Sequence, residues 1–385
     1  MISTLLLVQG CVTLPERNPL PAEYGYEASV LGGHGVRYWG DESLPLARGL
    51  PAEPTIEELQ AVLPGLVRKE LNILAISGGG ENGAFAAGLL NGWSKTGTRP
   101  EFNIVTGIST GALIAPFAYL GSSYDHFLER LYTQYSTENL IERRGWLRSL
   151  RTDASFDTRG MRSLIAEYFN EEIMQAIAAE YQRGRLLFVG TTNLDAQQPV
   201  TWDIGAIASS GKPDALELIH DVLLASASIP MLFPPVMIEV EAKGQTYDEM
   251  HVDGGVTRQS FVFELSSDAN AFETLEIVGT GRVFLIRNSK LEPDWQPTDR
   301  RIFTIGSRSA NSMIRAQGLG DLYREYLASR KFGIDFNLAF IPSEFKADNH
   351  ELFDRDYMRS LYRTGYEMAE EGYPWSKAPP GLENP

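Results

Sequence analysis

The sequence predicts an α/β fold of three layers, α/β/α, in which a mainly parallel β-sheet lies between helices. Residues 71–77 are a short apolar run that ends in glycines, as a buried strand does, and a helix of small and apolar residues follows at 83–96. A second strand at 102–106 precedes residues 112–120, which are apolar on all sides and indicate a buried helix. Strand, helix, strand and helix within about 50 residues form a βαβα unit, which requires parallel strands and right-handed crossovers.

The rest of the chain supplies the further elements that such a fold needs. With 385 residues, 43% of them hydrophobic, the chain can bury one large core and is too short for two full-size domains of this kind. Strand-like runs occur at 185–190, 236–240 and 277–286, and helical patterns occur at 124–135, 159–182, 215–226, 307–330 and 355–371.

Composition divides the chain into four segments. Residues 1–11 are an apolar N-terminal segment, and residues 12–65 are rich in Pro and Gly without a sustained period, which predicts a linker or extension. The main α/β domain is expected at 66–345. A C-terminal helix and a Pro-rich tail are expected at 346–385.

The formal net charge of −16 argues against nucleic acid as a partner. A phosphate backbone is bound by clustered Lys and Arg side chains, and the sequence has no dense basic run. The same charge gives little attraction to anionic lipid head groups. No stretch reaches the ~20 apolar residues of a membrane-spanning helix. If the protein works on membranes, something other than bulk charge must hold it there.

Cys11 is the only cysteine, which rules out an intrachain disulfide. It follows a short apolar stretch at 5–10 and so resembles the end of a bacterial lipoprotein signal, in which the cysteine becomes the lipidated first residue. The resemblance implies a lipid anchor that holds the protein at a membrane surface of the cell envelope, facing the periplasm. The alternatives are a frayed apolar N-terminus and a soluble cytoplasmic protein.

A candidate nucleophile lies in Gly107-Ile108-Ser109-Thr110-Gly111, a G-x-S-x-G motif between a predicted strand and a predicted helix. The flanking glycines permit a sharp turn that exposes the Ser109 hydroxyl above the carboxyl edge of the sheet. The helix that follows points its partial positive end at this hydroxyl. The alternative is an ordinary tight turn.

Three consecutive glycines, Gly78, Gly79 and Gly80, lie between the first strand and the first helix. Their unobstructed N–H groups suit an oxyanion hole, which stabilises the negative charge of a tetrahedral intermediate. Residues 78–83 also fit the dinucleotide-binding pattern G-x-G-x-x-G. That pattern requires an acidic residue at the end of the second strand, whereas Glu101 precedes this strand.

The base that would deprotonate Ser109 is predicted to be Asp253. It lies in His251-Val252-Asp253-Gly254-Gly255, at the expected end of a strand. Taken alone, Asp-Gly-Gly is more often a turn. None of the five histidines has a setting that indicates a catalytic base: His34, His126, His220, His251 and His350.

The three motifs, in this order, resemble those of the patatin-like phospholipases and lipid acyl hydrolases. The resemblance is densest over about 71–260. It implies the patatin-like form of the three-layer fold and hydrolysis of lipid or other acyl esters, with phospholipase A or lysophospholipase activity. It also implies a Ser109–Asp253 dyad without histidine, with an oxyanion hole at Gly78, Gly79, Gly80 and Thr110. No cofactor or metal is implied.

Two positions depart from the plant-type pattern of this family. Ser77 stands where that pattern has Asp, and Asn82 stands where it has Arg or Lys. The loss of a positive charge at Asn82 makes an acyl ester in general a better expectation than a phosphate-bearing substrate. Residues 227–236 are apolar and Pro-rich, which predicts a wall of an acyl-chain cleft or a buried loop.

Two other functions fit the sequence. One is an α/β-hydrolase-type esterase with a Ser-Asp-His triad, in which His350 would be the base. The other is a catalytically silent lipid-binding protein of the same fold, against which the intact Ser109 and Asp253 argue.

Overall fold

A computed structural model describes residues 16–33, 35–40, 55, 57–58, 70–136, 142–143, 156–262, 280–293, 295, 297–346 and 351–382. Cys11, His34 and His350 lie outside the described residues, as do the whole of 1–11 and most of 41–69. The predictions made for those positions therefore remain predictions.

The described strands are β1 (Arg37–Trp39), β2 (Glu70–Ile76), β3 (Ile104–Ile108), β4 (Glu142–Arg143), β5 (Phe156–Asp157), β6 (Leu186–Asn193), β7 (Gln198–Asp203), β8 (Val236–Ala242), β9 (Gln245–Asp253), β10 (Thr280–Arg287) and β11 (Asp335–Phe340). The described α-helices are α1 (Gly83–Lys95), α2 (Thr110–Leu120), α3 (Asp125–Thr133), α4 (Arg159–Tyr168), α5 (Glu171–Gln182), α6 (Ile204–Ala208), α7 (Ala215–Ser226), α8 (Ile302–Lys331) and α9 (Arg355–Glu370).

The main sheet is mixed and mostly parallel, which confirms the predicted fold class. Its order is β1-β7-β6-β3-β2-β10-β11. The five neighbouring strands β6, β3, β2, β10 and β11 run parallel to one another. Strands β7 and β1 extend the sheet beyond β6 in antiparallel pairing. The end of β9 also pairs antiparallel with β6, and β8 pairs antiparallel with β9. The next strand of the sheet along the chain, β3, pairs with one side of β2, and the later strand β10 pairs with its other side. Ligands of open α/β sheets bind at such a point, outside the carboxyl ends of the strands.

Both faces of the sheet are covered, because alternate side chains of the parallel strands point to opposite sides. Leu74 and Ile76 of β2 pack into a large cluster with α1, α2 and α7. Ile73 and Ala75 pack into a second cluster, to which α8 contributes Leu322 and Tyr326. The two clusters make the three layers and hold the carboxyl ends of β2 and β3 rigidly beside each other.

Helix α9 packs so closely on α1 that the backbones of the two helices are in contact. An added Cβ at Gly88 would overlap the carbonyl oxygen of Tyr362, and one at Gly92 would overlap that of Tyr366. This contact explains two glycines in a helix interior, where each costs about 1 kcal/mol relative to alanine. The packing brings the start of α9 over the glycine loop that follows β2.

The structure differs from the sequence expectations in two places. Residues 159–182 form two helices instead of one, because the Asn170 side chain accepts a hydrogen bond from Ile173 N and so begins a new helix. Strands β1, β4, β5, β7 and β11 were not expected, and of β9 only the end at Asp253 was expected. Strand β9 begins with polar residues, but it follows the alternating pattern of β8 through a turn in which Lys243 and Gly244 both have positive φ, 51° and 75°. That geometry is typical of a tight hairpin.

Candidate active site

Ser109 occupies a sharp turn between β3 and α2. Its backbone has φ 55° and ψ −124°, a conformation that non-glycine residues rarely adopt. An added Cβ at Gly111 would overlap the carbonyl oxygen of Ile76, and one at Gly107 would overlap that of Gly111. Both glycines of the motif are therefore required sterically. The turn puts the Ser109 side chain at the carboxyl edge of the sheet, at the N-terminus of α2.

The structure brings Ser109 and Asp253 together from distant parts of the chain. The Ser109 hydroxyl donates a hydrogen bond of 2.6 Å to Oδ2 of Asp253, and both residues are only 5% exposed. Oδ1 of Asp253 accepts a 2.7 Å bond from the Gly255 amide. Asp253 ends β9, where it pairs with Thr191 of β6 and donates its own N–H to Ser228 O at 2.9 Å. Its carboxylate is thus fixed by the sheet.

Burial raises the pKa of Asp253 to about 7, although the hydrogen bonds from Ser109 and Gly255 act to lower it. A carboxyl group with this pKa can accept and return a proton near neutral pH. The raised pKa also costs stability. The folded protein binds the proton more tightly than the unfolded chain, so the free energy of unfolding falls as pH rises from about 4 to 7, by roughly 4 kcal/mol.

The glycine loop passes beside Ser109. An ideal Cβ at Gly78 would lie 3.3 Å from Ser109 Cβ. However, the Gly78 amide donates a 3.0 Å hydrogen bond to the carbonyl of Gln259. This differs from the expectation that Gly78 serves as an oxyanion donor, because its N–H is already engaged within the protein.

The remaining predicted donors are the amides of Gly79, Gly80 and Thr110. An added Cβ at Gly79 would lie 2.5 Å from Asn288 O, and Gly80 has φ 58°, so both positions favour glycine. Asn288 holds the loop through Ser77, whose Oγ accepts its N–H and whose carbonyl accepts its Nδ2, both at 2.9 Å. Thr110 is the first residue of α2, where helix amides have no intrahelical acceptor.

Asn82 is tied to the C-terminal part of the chain. Its Oδ1 accepts a 2.6 Å hydrogen bond from the hydroxyl of Tyr357 in α9. The neighbouring Glu81 carboxylate accepts the N–H of Phe353. The segment around the start of α9 therefore closes over the glycine loop and fixes its outer side.

Sequence reasoning missed a role for Ser226, the last residue of α7. Its hydroxyl accepts a 2.9 Å hydrogen bond from Ser109 N and donates one of 2.7 Å to Gly190 O, and it is fully buried. It therefore ties the strained turn to β6. The signal in the sequence is weak: a serine among small residues at the end of an apolar helix.

The three described histidines are engaged away from the predicted dyad. His126 and His220 each bond a backbone carbonyl. The buried ring of His251 lies 2.9 Å from Thr191 Oγ1 and 3.1 Å from Glu249 Oε2, and burial lowers its pKa although Glu249 acts to raise it. In the described part of the chain, no histidine hydrogen-bonds to Ser109 or Asp253.

A small apolar pocket of about 60 Å³ opens at Gly80 and Thr110. Residues 227–236, expected as a wall of the acyl cleft or as a buried loop, do not line this pocket: Phe233 is in the core and Met231 is 74% exposed. The lining comes mainly from α2, α3, α4 and α9, through Leu113, Leu131, Tyr132, Met161, Leu164, Ile165, Phe169, Phe353 and Met358.

None of the described helices is both long enough and apolar enough to cross a membrane. This finding concerns the described residues alone.

Three solved structures resemble this chain at 12% sequence identity. VipD from Legionella pneumophila has a TM-score of 0.38, and the match covers 79% of this chain and 66% of VipD. Full-length ExoU, in complex with SpcU from the type III secretion system of Pseudomonas aeruginosa, has a TM-score of 0.31 over 79% and 52%. Human GIVD cytosolic phospholipase A2 has a TM-score of 0.32 over 75% and 51%. The chain thus spans about half to two thirds of these proteins.

No curated protein sequence matches the chain. The family model described as patatin-like phospholipase matches residues 74–265. The matched segment holds the glycine loop, the Ser109 turn and Asp253. Through residues 74–265, the chain belongs to the patatin-like phospholipase family.

Proposed function

We propose that the protein is a serine acyl hydrolase that cleaves carboxylic esters of lipids with a Ser109–Asp253 dyad. The observation that supports it best is the 2.6 Å hydrogen bond from Ser109 Oγ to Asp253 Oδ2, inside a buried site beside the glycine loop. A carboxylate whose pKa is near 7 suits a general base at neutral pH. Membership of the patatin-like phospholipase family supports an ester of a lipid as the substrate.

In the first half of the reaction, Ser109 Oγ attacks the ester carbonyl carbon and gives its proton to Asp253. The carbonyl oxygen becomes an oxyanion, which the amides of Gly79, Gly80 and Thr110 stabilise together with the positive end of α2. The carbon–oxygen bond to the leaving group then breaks. The leaving alcohol takes the proton from Asp253, and an acyl-Ser109 ester remains.

In the second half, a water molecule replaces the alcohol. Asp253 accepts a proton from the water as its oxygen attacks the acyl carbon, and the same amides stabilise the second oxyanion. The bond to Ser109 Oγ breaks, and the proton returns to that oxygen. The carboxylic acid leaves, and the dyad is restored.

The acyl chain would enter the apolar pocket at Gly80 and Thr110, because these residues also border the oxyanion site. The pocket is smaller than the ~300 Å³ that drug-sized ligands usually fill, so it would hold only a part of a long chain. Met161 and Met358 line it, and flexible methionines suit chains of varied shape.

A lipid anchor at Cys11 is the second part of the proposal. Its support is the apolar stretch that precedes Cys11 and the net charge of −16, which gives no electrostatic attraction to a membrane. A single acyl chain binds a bilayer marginally, whereas several chains on one cysteine anchor stably.

Ser109 should be the residue that an active-site fluorophosphonate labels, because its hydroxyl is activated by Asp253 and faces the oxyanion donors. Intact mass and peptide mapping measure this. Ser109→Ala should lose both labelling and lipid-ester hydrolysis. Labelling at another residue of an active preparation would contradict the assignment.

The identity of the base is tested by Asp253→Asn, which keeps the shape and removes the proton acceptor. Turnover should fall by at least about 10²–10⁴, while circular dichroism stays that of the wild type. His350→Ala is the comparison variant and should keep its activity. Loss of activity in His350→Ala, with activity retained in Asp253→Asn, would establish the triad instead.

Ser226→Ala should lower kcat with little change in KM, because the turn at Ser109 loses its tie to β6. Misplacement of a reacting group by 1 Å can cost about 10² in rate, and we expect a loss of about tenfold to a hundredfold. Ser228→Ala is the matched control, since among the described residues its hydroxyl bonds within its own segment, to Leu224 O at 2.8 Å. Equal effects of the two substitutions would refute a positioning role for Ser226.

Wild-type protein, expressed in a Gram-negative host with a complete lipoprotein signal, should sediment with membranes and incorporate labelled palmitate. Cys11→Ser should be unlabelled, should remain in the soluble fraction and should still hydrolyse short-chain esters. If both forms fractionate alike, the anchor hypothesis is wrong.

A further inference from the structure

A second, larger cavity borders the same glycine loop as the apolar pocket. It is a polar cleft of about 630 Å³, bordered by Gly78 and Gly79, by the end of β10 and by the N-terminal half of α8. This volume lies within the range of small-molecule sites. The loop that borders the predicted oxyanion site therefore also borders two spaces of different chemistry.

The cleft is strongly basic in a strongly acidic protein. Among the described residues that line it, one is acidic, Glu292, and four are basic: Arg287, Lys290, Arg308 and Arg315. The chain as a whole has a net charge of −16. Since clefts lined by one sign of charge concentrate the field, this local positive charge favours an anionic ligand.

Arg287 is the deepest of these cations. It is 4% exposed, its Nε is buried without a hydrogen-bond acceptor, and among the described residues no carboxylate forms an ion pair with it. Asp321 acts on Arg287 electrostatically, but its oxygens accept bonds from Gln259 N at 2.6 Å and from Arg324 Nη1 at 3.0 Å. A buried charge without a partner is costly, and an anion in the cleft would supply the partner.

Burial, together with the nearby positive charge of Arg315, lowers the pKa of Arg287 to about 10, although Asp321 acts to raise it. Arg287 therefore remains charged at neutral pH. Helix α8 makes room for it: an added Cβ at Gly318 would lie 2.8 Å from Nη1 and 3.3 Å from Nη2 of Arg287.

Two of the neighbouring cations, Lys290 and Arg315, donate hydrogen bonds to neutral backbone carbonyls. Lys290 Nζ donates to the carbonyls of Ser343 at 3.3 Å and Phe345 at 2.5 Å. Arg315 donates Nη2 to the carbonyl of Leu291, and its Nε is buried without a partner among the described residues. These bonds fix the positions of Lys290 and Arg315 without neutralising their charge.

We propose that this cleft binds the phosphate group of the substrate, which makes a phospholipid or lysophospholipid the preferred ester; this inference rests on the proposed function. Guanidinium groups bind phosphate oxygens through two parallel N–H donors. The position of the two spaces supports the inference, because the apolar pocket borders the glycine loop at Gly80 and the cleft borders it at Gly78 and Gly79. Arg287 and Arg315 supply the positive charge that Asn82 lacks.

The kinetic test compares two substrates with the same acyl chains, dihexanoyl phosphatidylcholine and dihexanoylglycerol, both as monomers in solution. Arg315→Gln and Arg287→Gln should raise KM for the phosphate-bearing substrate by about 10–100-fold, the range of one charge-assisted hydrogen bond. Both variants should hydrolyse dihexanoylglycerol within twofold of the wild type. Arg330→Gln, on the exposed side of the same helix, is the matched control and should leave both substrates unchanged.

A binding measurement tests the cleft without turnover. In Ser109→Ala protein at pH 7, inorganic phosphate should bind by calorimetry, and the added Arg315→Gln should abolish binding while the added Arg330→Gln does not. Arg315 is half-buried, so this variant serves even if Arg287→Gln fails to fold.

Each outcome decides between the sources of the phosphate. Arginine-dependent phosphate binding with a selective loss on the phospholipid supports the head group. Phosphate binding with no selective loss supports a site for free phosphate and overturns the substrate assignment. If neither phosphate binding nor a selective loss is observed, the proposal that the cleft is an anion site is wrong. If the wild type hydrolyses neither ester, the proposed function fails while the calorimetry still decides the cleft.

Discussion

The left-handed turn at Ser109 is the constraint to which the other parts of the site are fitted. Its φ of 55° is held because Gly111 lies against the backbone of Ile76 and because Ser226 binds the Ser109 amide. The first contact aligns the ends of β2 and β3, so the glycine loop passes beside the serine. The second ties the turn to β6. A strained backbone conformation of this kind costs about 1–3 kcal/mol, and it persists only where the surrounding packing holds the residue in place.

The buried carboxylate of Asp253 sets the chemistry of this site. Burial raises its pKa to about 7, which suits proton transfer and lowers the stability of the folded protein above pH 4. The pairing of β9 with β6 keeps the carboxylate in place despite this cost. Arg287 shows a similar pattern, since it is buried without an ion-pair partner among the described residues, next to the loop that borders the site. Charges of this type are expected where a protein binds or transforms a ligand.

The local parts of the fold could be predicted from the sequence, and the long-range contacts could not, apart from the contact between Ser109 and Asp253 that the family resemblance implied. The turn at Ser109 and helix α7 follow from glycine spacing and apolar periodicity. The first part of strand β9 was missed because most of its first six residues are polar, as they are at the edge of a sheet. The engagement of the Gly78 amide by Gln259 leaves no local signal, since the two residues meet only in the folded chain. The same is true of Ser226.

The central claim is that Asp253 is the base that activates Ser109, and the pH dependence of Ser109 phosphonylation tests it most directly. The second-order rate constant for a fluorophosphonate, measured from pH 4 to 9, should rise to a plateau with an apparent pKa near 7, because the carboxylate form is required. The same profile should hold in His350→Ala, and Asp253→Asn should react slowly at every pH. A rate that Asp253→Asn leaves unchanged, or a midpoint that disappears in His350→Ala, would contradict the account.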